Sequence, residues 1–208
     1  LMQLRGYKPM KRCLFLGTTE GEKNFTRNVK RQVKKICKKH GGMYITGLPS
    51  KMWEPGRYKD PYLREDLQDY GILIDTLETA VKWDNLLKVH QEVREFVKSR
   101  PETICMINST HFYLHGTSLY FIYIMKDNGL QEYIDFQSGI IERINSSGGS
   151  LSHHHGVGKM IAPWMEKHLG KEQMEVLRAL KRHFDPNNIM NPGGQMGLDL
   201  KGDWRKIK

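Results

Sequence analysis

Residues 148–158 read Gly148-Gly149-Ser150-Leu151-Ser152-His153-His154-His155-Gly156-Val157-Gly158, three consecutive imidazoles in a glycine-rich loop between long amphipathic patterns. Three neighbouring side chains cannot all serve one site from a regular helix or strand. They need irregular backbone, which glycine permits while letting another group come close to the main chain. Any fold of this chain therefore has to present the loop from ordered elements on both sides, and it reads as a site loop. An expression tag would be longer and terminal. A surface loop of unremarkable histidines is the plainer alternative.

The 208 residues, 38% of them hydrophobic, can bury one good core and suit one domain or a domain with an appended helical segment. The longest apolar run, near residues 119–125, is too short to span a bilayer, and the first five residues hold no secretory core, so a cytoplasmic protein is expected. Cys13, Cys37 and Cys105 are widely separated and form neither a disulfide framework nor a metal spacing. The net charge of +10 gathers on Lys30, Arg31, Lys34, Lys35, Lys38 and Lys39 and in the tail 201–208. Without interleaved aromatics this is a solvated face, so no nucleic-acid partner is expected, whereas an anionic small molecule is.

Residues 13–18 suit a strand, and 22–40 carry Phe25, Val29, Val33 and Ile36 at helical spacing before Gly41-Gly42 stops the helix. Residues 49–61, with Pro49, Pro55, Gly56 and Pro61, read as loop, and a short helix follows near 63–69. A strand at 72–77, a helix at 83–98, strands at 103–113 and 117–126 and a helix at 130–145 lead into the histidine loop. Helices at 162–169 and 172–184 then end at Asp185-Pro186-Asn187-Asn188. This order predicts an α+β fold, a ferredoxin-like antiparallel sheet with helices on one face, followed by a C-terminal helical segment. The expected division is a cap or substrate domain at 1–148, with the histidine loop and helical segment at 149–208. Gly17-Thr18-Thr19-Glu20-Gly21 lacks the glycine spacing of a dinucleotide fingerprint.

Five blocks occur in one order: Asp60-Pro61-Tyr62-Leu63-Arg64, Asp75-Thr76-Leu77-Glu78-Thr79-Ala80 with Trp83-Asp84, Gly116-Thr117-Ser118-Leu119-Tyr120-Phe121, the 152–158 loop, and Asp185-Pro186-Asn187-Asn188-Ile189-Met190-Asn191-Pro192. Over nearly the whole chain this order resembles the C-terminal half of the alkylglycerone-phosphate synthases (alkyl-dihydroxyacetone-phosphate synthases) and their bacterial relatives. These are FAD-linked oxidases of the vanillyl-alcohol-oxidase class. The resemblance implies FAD as cofactor, held mostly by an N-terminal domain or subunit that this chain does not contain, and a place in ether-lipid synthesis. The chain then reads as the cap portion of a flavoenzyme, either a fragment, a split gene product or a single domain, and inactive alone. The implied reaction is redox-neutral exchange of an acyl for an alkyl group on dihydroxyacetone phosphate. A hydroxy-acid or alcohol oxidoreductase and a non-catalytic substrate- or partner-binding fragment stay open, as does a homodimer.

The resemblance assigns Tyr120, His153, His154 and His155 to catalysis, and Arg64 to substrate binding through paired hydrogen bonds to an anion. His111 is a further candidate for reaching the substrate pocket. His154 and His155, with Gly156 and Gly158, are implied to face the flavin. A phenol at Tyr120 acting in proton transfer is expected to need a lowered pKa. The related D-2-hydroxy-acid dehydrogenases hold a divalent metal with two strand histidines and a Glu-His-Gly loop. Here Tyr120 and His154 stand in place of one histidine and the glutamate, so no metal site is expected. An arginine of the eukaryotic synthases falls on Asn108, while Thr110-His111-Phe112-Tyr113 follows a pattern of the bacterial relatives. Glycines and exposed imidazoles also predict a mobile loop at 150–159 when the flavin is absent.

Overall fold

The structure is a computed structural model that describes residues 2–8, 12–59 and 62–199. Asp60-Pro61 and the cationic tail 201–208 lie outside the described residues. In chain order the elements are α1 (Lys23–Lys39), α2 (Leu48–Gly56), α3 (Tyr62–Gln68), β1 (Ile72–Lys82), α4 (Leu86–Ser99), β2 (Ile104–Thr110), β3 (Gly116–Lys126), α5 (Leu130–Ser147), α6 (Gly158–Leu169) and α7 (Lys171–Phe184). Backbone proximity divides the chain into two units, residues 1–62 and 63–208.

The first unit holds a short 3-10 turn, Gln3–Arg5, with α1 and α2, none of which contains a buried residue. Two expectations fail here. Residues 13–18 form no strand, and Leu14 and Phe15 stay exposed. An apolar run becomes a strand only beside a neighbour that takes its backbone hydrogen bonds, and this one joins no sheet. Much of the expected loop at 49–61 is α2. Pro49 sits in its first turn, where a missing N–H costs nothing, and Pro55 lies near its end.

The second unit has the predicted architecture, an antiparallel sheet with order β1-β3-β2 and helices against one face. Side chains alternate across a strand, so Leu73, Leu77 and Val81 of β1 and Leu119, Phe121, Tyr123 and Met125 of β3 turn the same way. They meet Val89, Val93 and Val97 of α4 and Ile140, Ile141 and Ile144 of α5, which recur at helical spacing and are at most 1% exposed. Ile161, Trp164 and Met165 of α6 and Met174 of α7 extend this core, and the Trp164 indole donates to Glu142 of α5 at 2.8 Å. No helix among the described residues is long and apolar enough to cross a membrane.

The other face of the sheet positions the site. Strand register places Glu78 of β1 opposite Tyr120 of β3, and Tyr120 opposite Asn108 of β2, so these three side chains form a row across the face opposite α4 and α5. The sheet ends where the backbone demands it. β2 stops at Thr110 because His111 adopts a left-handed φ of 53°. At the start of β3, a Cβ on Gly116 would lie 2.1 Å from the Val81 carbonyl oxygen. Gly116→Ala must therefore push β3 off β1. It is expected to cost about 3 kcal/mol in urea unfolding of the chain, and a loss below about 1 kcal/mol would show that the strands can part freely.

Candidate active site

The histidine loop is organised by a carboxylate. Oε1 of Glu78 accepts hydrogen bonds from the backbone N–H of His153 at 2.6 Å, His154 at 2.8 Å and His155 at 3.1 Å, and from the Ser152 hydroxyl at 3.1 Å. Three successive amides aimed at one point make an anion-binding concavity, and the irregular backbone expected of this loop is the shape of that concavity. Nearby, the Ser150 N–H donates to the Ala80 carbonyl at 2.9 Å, Thr79 donates to the Ser150 carbonyl, and Leu151 is buried. These bonds tie residues 150–155 to β1 and oppose the mobility expected for that part of the loop.

Glu78 is only 3% exposed. Burial pushes its carboxyl upward, but the amides of His155, His153 and His154 and the Ser152 hydroxyl outweigh it and hold the carboxyl below its ordinary value. Its Oε2 accepts no hydrogen bond and lies 3.5 Å from His154 Nδ1 and 3.9 Å from His153 Nδ1.

With their amides committed to Glu78, the three imidazoles fan outward. His154 Nε2 lies 2.5 Å from the Tyr120 hydroxyl, and His153 Nε2 lies 3.1 Å from the Tyr113 hydroxyl. The two Nδ1 atoms are 2.8 Å apart. His155 sets its ring edge-on to Tyr120, with centroids 5.3 Å apart. His111 joins the same cluster, its ring tilted against His154 with centroids 4.7 Å apart and its Nδ1 bonded to Thr110 and Ser118. Trp83 fixes the turn that carries His111 and Tyr113: its indole N–H is shared by the carbonyls of Tyr113 at 3.1 Å and Leu114 at 3.2 Å.

The structure thus brings together Tyr120, His111, His153, His154 and His155. It places Arg64 in a different polar group. The Arg64 guanidinium is 4.0 Å from Asp75, which also accepts from Tyr133 and Gln137 of α5. Asp75 and Glu78 are three residues apart on β1, so their side chains leave opposite faces. Among the described residues Arg64 makes no bond to the histidine cluster.

Two residues were missed as site residues from sequence. Glu78 reads there as an ordinary polar residue between Leu77 and Thr79, and Tyr113 as part of a turn. The available signals for Glu78 were its place on the strand face opposite Leu77 and Thr79 and in the 75–80 block of the resemblance.

The protonation pattern also differs from expectation. Burial and the Glu78 charge raise the Tyr120 phenol above its ordinary value, so it is a neutral hydroxyl rather than a phenolate. Loss of hydration among the rings, with the charges of His155, His111 and His153, lowers His154 despite the pull of Glu78. A neutral His154 can accept the Tyr120 proton.

His111, His153 and His154 each place a ring nitrogen within 4.8 Å of the others. Glu78 also supplies a nearby carboxylate that the sequence reading found missing. Yet both nitrogens of His153 and His154 and the Nδ1 of His111 already have hydrogen-bond partners, and Glu78 Oε1 holds the loop. In this structure the cluster is a hydrogen-bond network.

Residues 2–194 match the family described as FAD linked oxidases, C-terminal domain. The chain belongs to that family. Among curated relatives it is 34% identical to alkyldihydroxyacetonephosphate synthase of Dictyostelium discoideum over 86% of this chain and 31% of the relative. It is 25% identical to the Trypanosoma brucei brucei enzyme of the same name over 91% of this chain and 32% of that one. An uncharacterized FAD-linked oxidoreductase of Escherichia coli is 33% identical over 57% of this chain. A solved alkyldihydroxyacetonephosphate synthase superposes with a TM-score of 0.58 at 29% identity, covering 83% of this chain and 30% of that one. The chain spans about a third of the length of these synthases.

FAD is the cofactor of the family. The residues present suit the ring end of a flavin. Gly156 and Gly158 have open space where a Cβ would stand, beside the exposed rings of His154 and His155, so a flat group can approach the backbone there.

The depressed carboxyl of Glu78 sets a pH dependence. A group lowered on folding stabilises above its unfolded value, about 4.3 for glutamate, and that stability is lost as pH falls through the lowered folded value. Protection of the amides of residues 153–155, measured against their intrinsic exchange rates at each pH, is therefore expected to be high at neutral pH and to fall in acid below about pH 4. Glu78→Ala, which orphans three amides, should abolish the protection at neutral pH and cost about 3 kcal/mol. Fast exchange in the unmodified chain would show that the carboxylate does not hold the loop.

Proposed function

We propose that this chain is the cap and substrate portion of an FAD-dependent enzyme that exchanges an acyl for an alkyl group on dihydroxyacetone phosphate, the activity that the names of its synthase relatives suggest. One observation carries the reading. A neutral phenol, Tyr120, is hydrogen-bonded to a neutral imidazole, His154, at the edge of a cluster whose glycine border is open to a flat group.

When bound, FAD supplies the bond exchange at the substrate carbon. The chain supplies proton handling and placement. Tyr120 gives or takes the substrate proton, with His154 as its immediate partner. His153 and His155 complete the polar wall, and His111 faces it from the β2 end. His154, His155, Gly156 and Gly158 line the approach of the flavin ring. Arg64, half exposed beside Asp75, offers a guanidinium to a phosphate. Residues 149–199 pack toward the FAD-binding domain, and the isolated chain lacks turnover.

A second reading, an FAD-dependent oxidoreductase acting on a small hydroxy acid or alcohol, is supported by Asn108. It stands opposite Tyr120 at the position where the eukaryotic synthases are expected to carry arginine.

The test is to combine the chain with its FAD-binding portion and record flavin absorbance and turnover. A yellow complex with acyl-exchange activity is expected. Tyr120→Phe should lower kcat by about 100-fold or more, and Arg64→Ala should raise KM for the phosphorylated substrate. A yellow complex that instead bleaches with hydroxy acids selects the second reading. Full turnover in Tyr120→Phe would remove the phenol from the mechanism.

A further inference from the structure

The site side chains form an unbroken line. The Tyr120 hydroxyl meets His154 Nε2 at 2.5 Å, His154 Nδ1 meets His153 Nδ1 at 2.8 Å, and His153 Nε2 meets the Tyr113 hydroxyl at 3.1 Å. Both nitrogens of both imidazoles are engaged.

A neutral imidazole carries one N–H, so the central contact between two Nδ1 atoms requires complementary tautomers. In one arrangement Tyr120 donates to His154 Nε2, His154 Nδ1–H donates to His153 Nδ1, and His153 Nε2–H donates to Tyr113. In the other, every link is reversed with the heavy atoms in the same places. The two ends differ in their access to water. Tyr113 is 53% exposed, whereas Tyr120 lies partly buried in the sheet face.

Glu78 is placed for the midpoint. Its free Oε2 lies within 4 Å of both Nδ1 atoms, where a negative charge steadies an imidazolium. The titratable groups facing His154 are Glu78 from β1, His111 from the end of β2, Tyr120 from β3, and His153 and His155 from its own loop.

We propose that Tyr120, His154, His153 and Tyr113 form a proton wire between the substrate end of the site and solvent, with Glu78 holding the charge midway. Outward transfer breaks the Tyr120 O–H bond and forms His154 Nε2–H. His154 Nδ1–H then breaks as His153 Nδ1–H forms. Finally His153 Nε2–H breaks as a new Tyr113 O–H forms, and the outward proton of Tyr113 leaves to water. One proton reaches water and Tyr120 is left as a phenolate until it takes the proton of the substrate, which restores the neutral phenol; no electrons are exchanged. The high phenol value and the low imidazole value keep Tyr120 and His154 neutral at rest, the state from which such a line can start. The wire rests on the proposed function only for what the Tyr120 proton is used for. Once substrate covers Tyr120, it leaves that phenol a path to water.

The experiment needs neither flavin nor turnover, so its failure is distinguishable from failure of the proposed activity. In the isotopically labelled chain, long-range nitrogen NMR reports the tautomer of each ring, and a scalar coupling across the N–H···N bond joins the two Nδ1 atoms. Complementary tautomers on His153 and His154 with a resolved coupling are expected. Identical tautomers, or no coupling because water or a cation replaces the shared proton, would overturn the wire.

Tyr120→Phe, which removes only the partner of His154, should also change the tautomer balance of His153. An unchanged His153 would show that the links are independent. Glu78→Gln keeps an oxygen for the three amides and is expected to move the His154 titration to lower pH. An unmoved titration would remove Glu78 from the wire, and if this variant fails to fold, the spectra of the unmodified chain decide.

Discussion

A carboxylate buried beneath three consecutive amides holds the rest of this site in place. An ionised glutamate shielded from water costs several kcal/mol unless it is well bonded, and Oε1 of Glu78 offsets that cost with three main-chain donors and a hydroxyl. The bond set is also an orienting device. Because the amides of His153, His154 and His155 all point inward, their side chains turn outward over the rim, where His154 and His155 meet Tyr120 and His153 meets Tyr113. Removing the carboxylate would leave a glycine-bordered loop with little reason to keep that shape.

The opposite wall of the site is fixed just as indirectly. Trp83, directly after β1, donates its indole N–H into the turn that links β2 and β3, and its ring stacks near Phe112 with centroids 6.0 Å apart. That turn carries His111 in a left-handed conformation and Tyr113 beside His153. Strained backbone at a polar cluster is a frequent mark of function. The strand and the residue after it thus arrange both walls, with Glu78 gripping the loop from below and Trp83 gripping the hairpin from the side.

Membership of the FAD-linked oxidase family gives this arrangement a context, since one face of the sheet carries the polar cluster while the opposite face is filled by α4 and α5. A cap of this kind need not supply the difficult chemistry. In the proposed function its contribution is proton handling and placement. A neutral phenol against a neutral imidazole, backed by a buried anion, is suited to moving a proton without storing net charge.

Much of this architecture was legible in the chain itself. The helical spacing of Val89, Val93 and Val97, the alternation of Leu119, Phe121, Tyr123 and Met125, and the glycines around three histidines determined the core helices, the strands and the site loop. Local pattern reports which face of an element is apolar, and burial then follows. It misled at residues 13–18, where an apolar run had no sheet to join, and at 49–61, where Pro49 was compatible with a first helical turn. Only tertiary structure decided the site. Glu78 and its loop are separated by more than seventy residues, and strand register put Tyr120 beside Glu78. The folded position of Asp75 on the opposite face drew Arg64 into a different polar group. Periodicity along a chain carries no information about which polar group will meet another across the fold, because those meetings are set by packing and register.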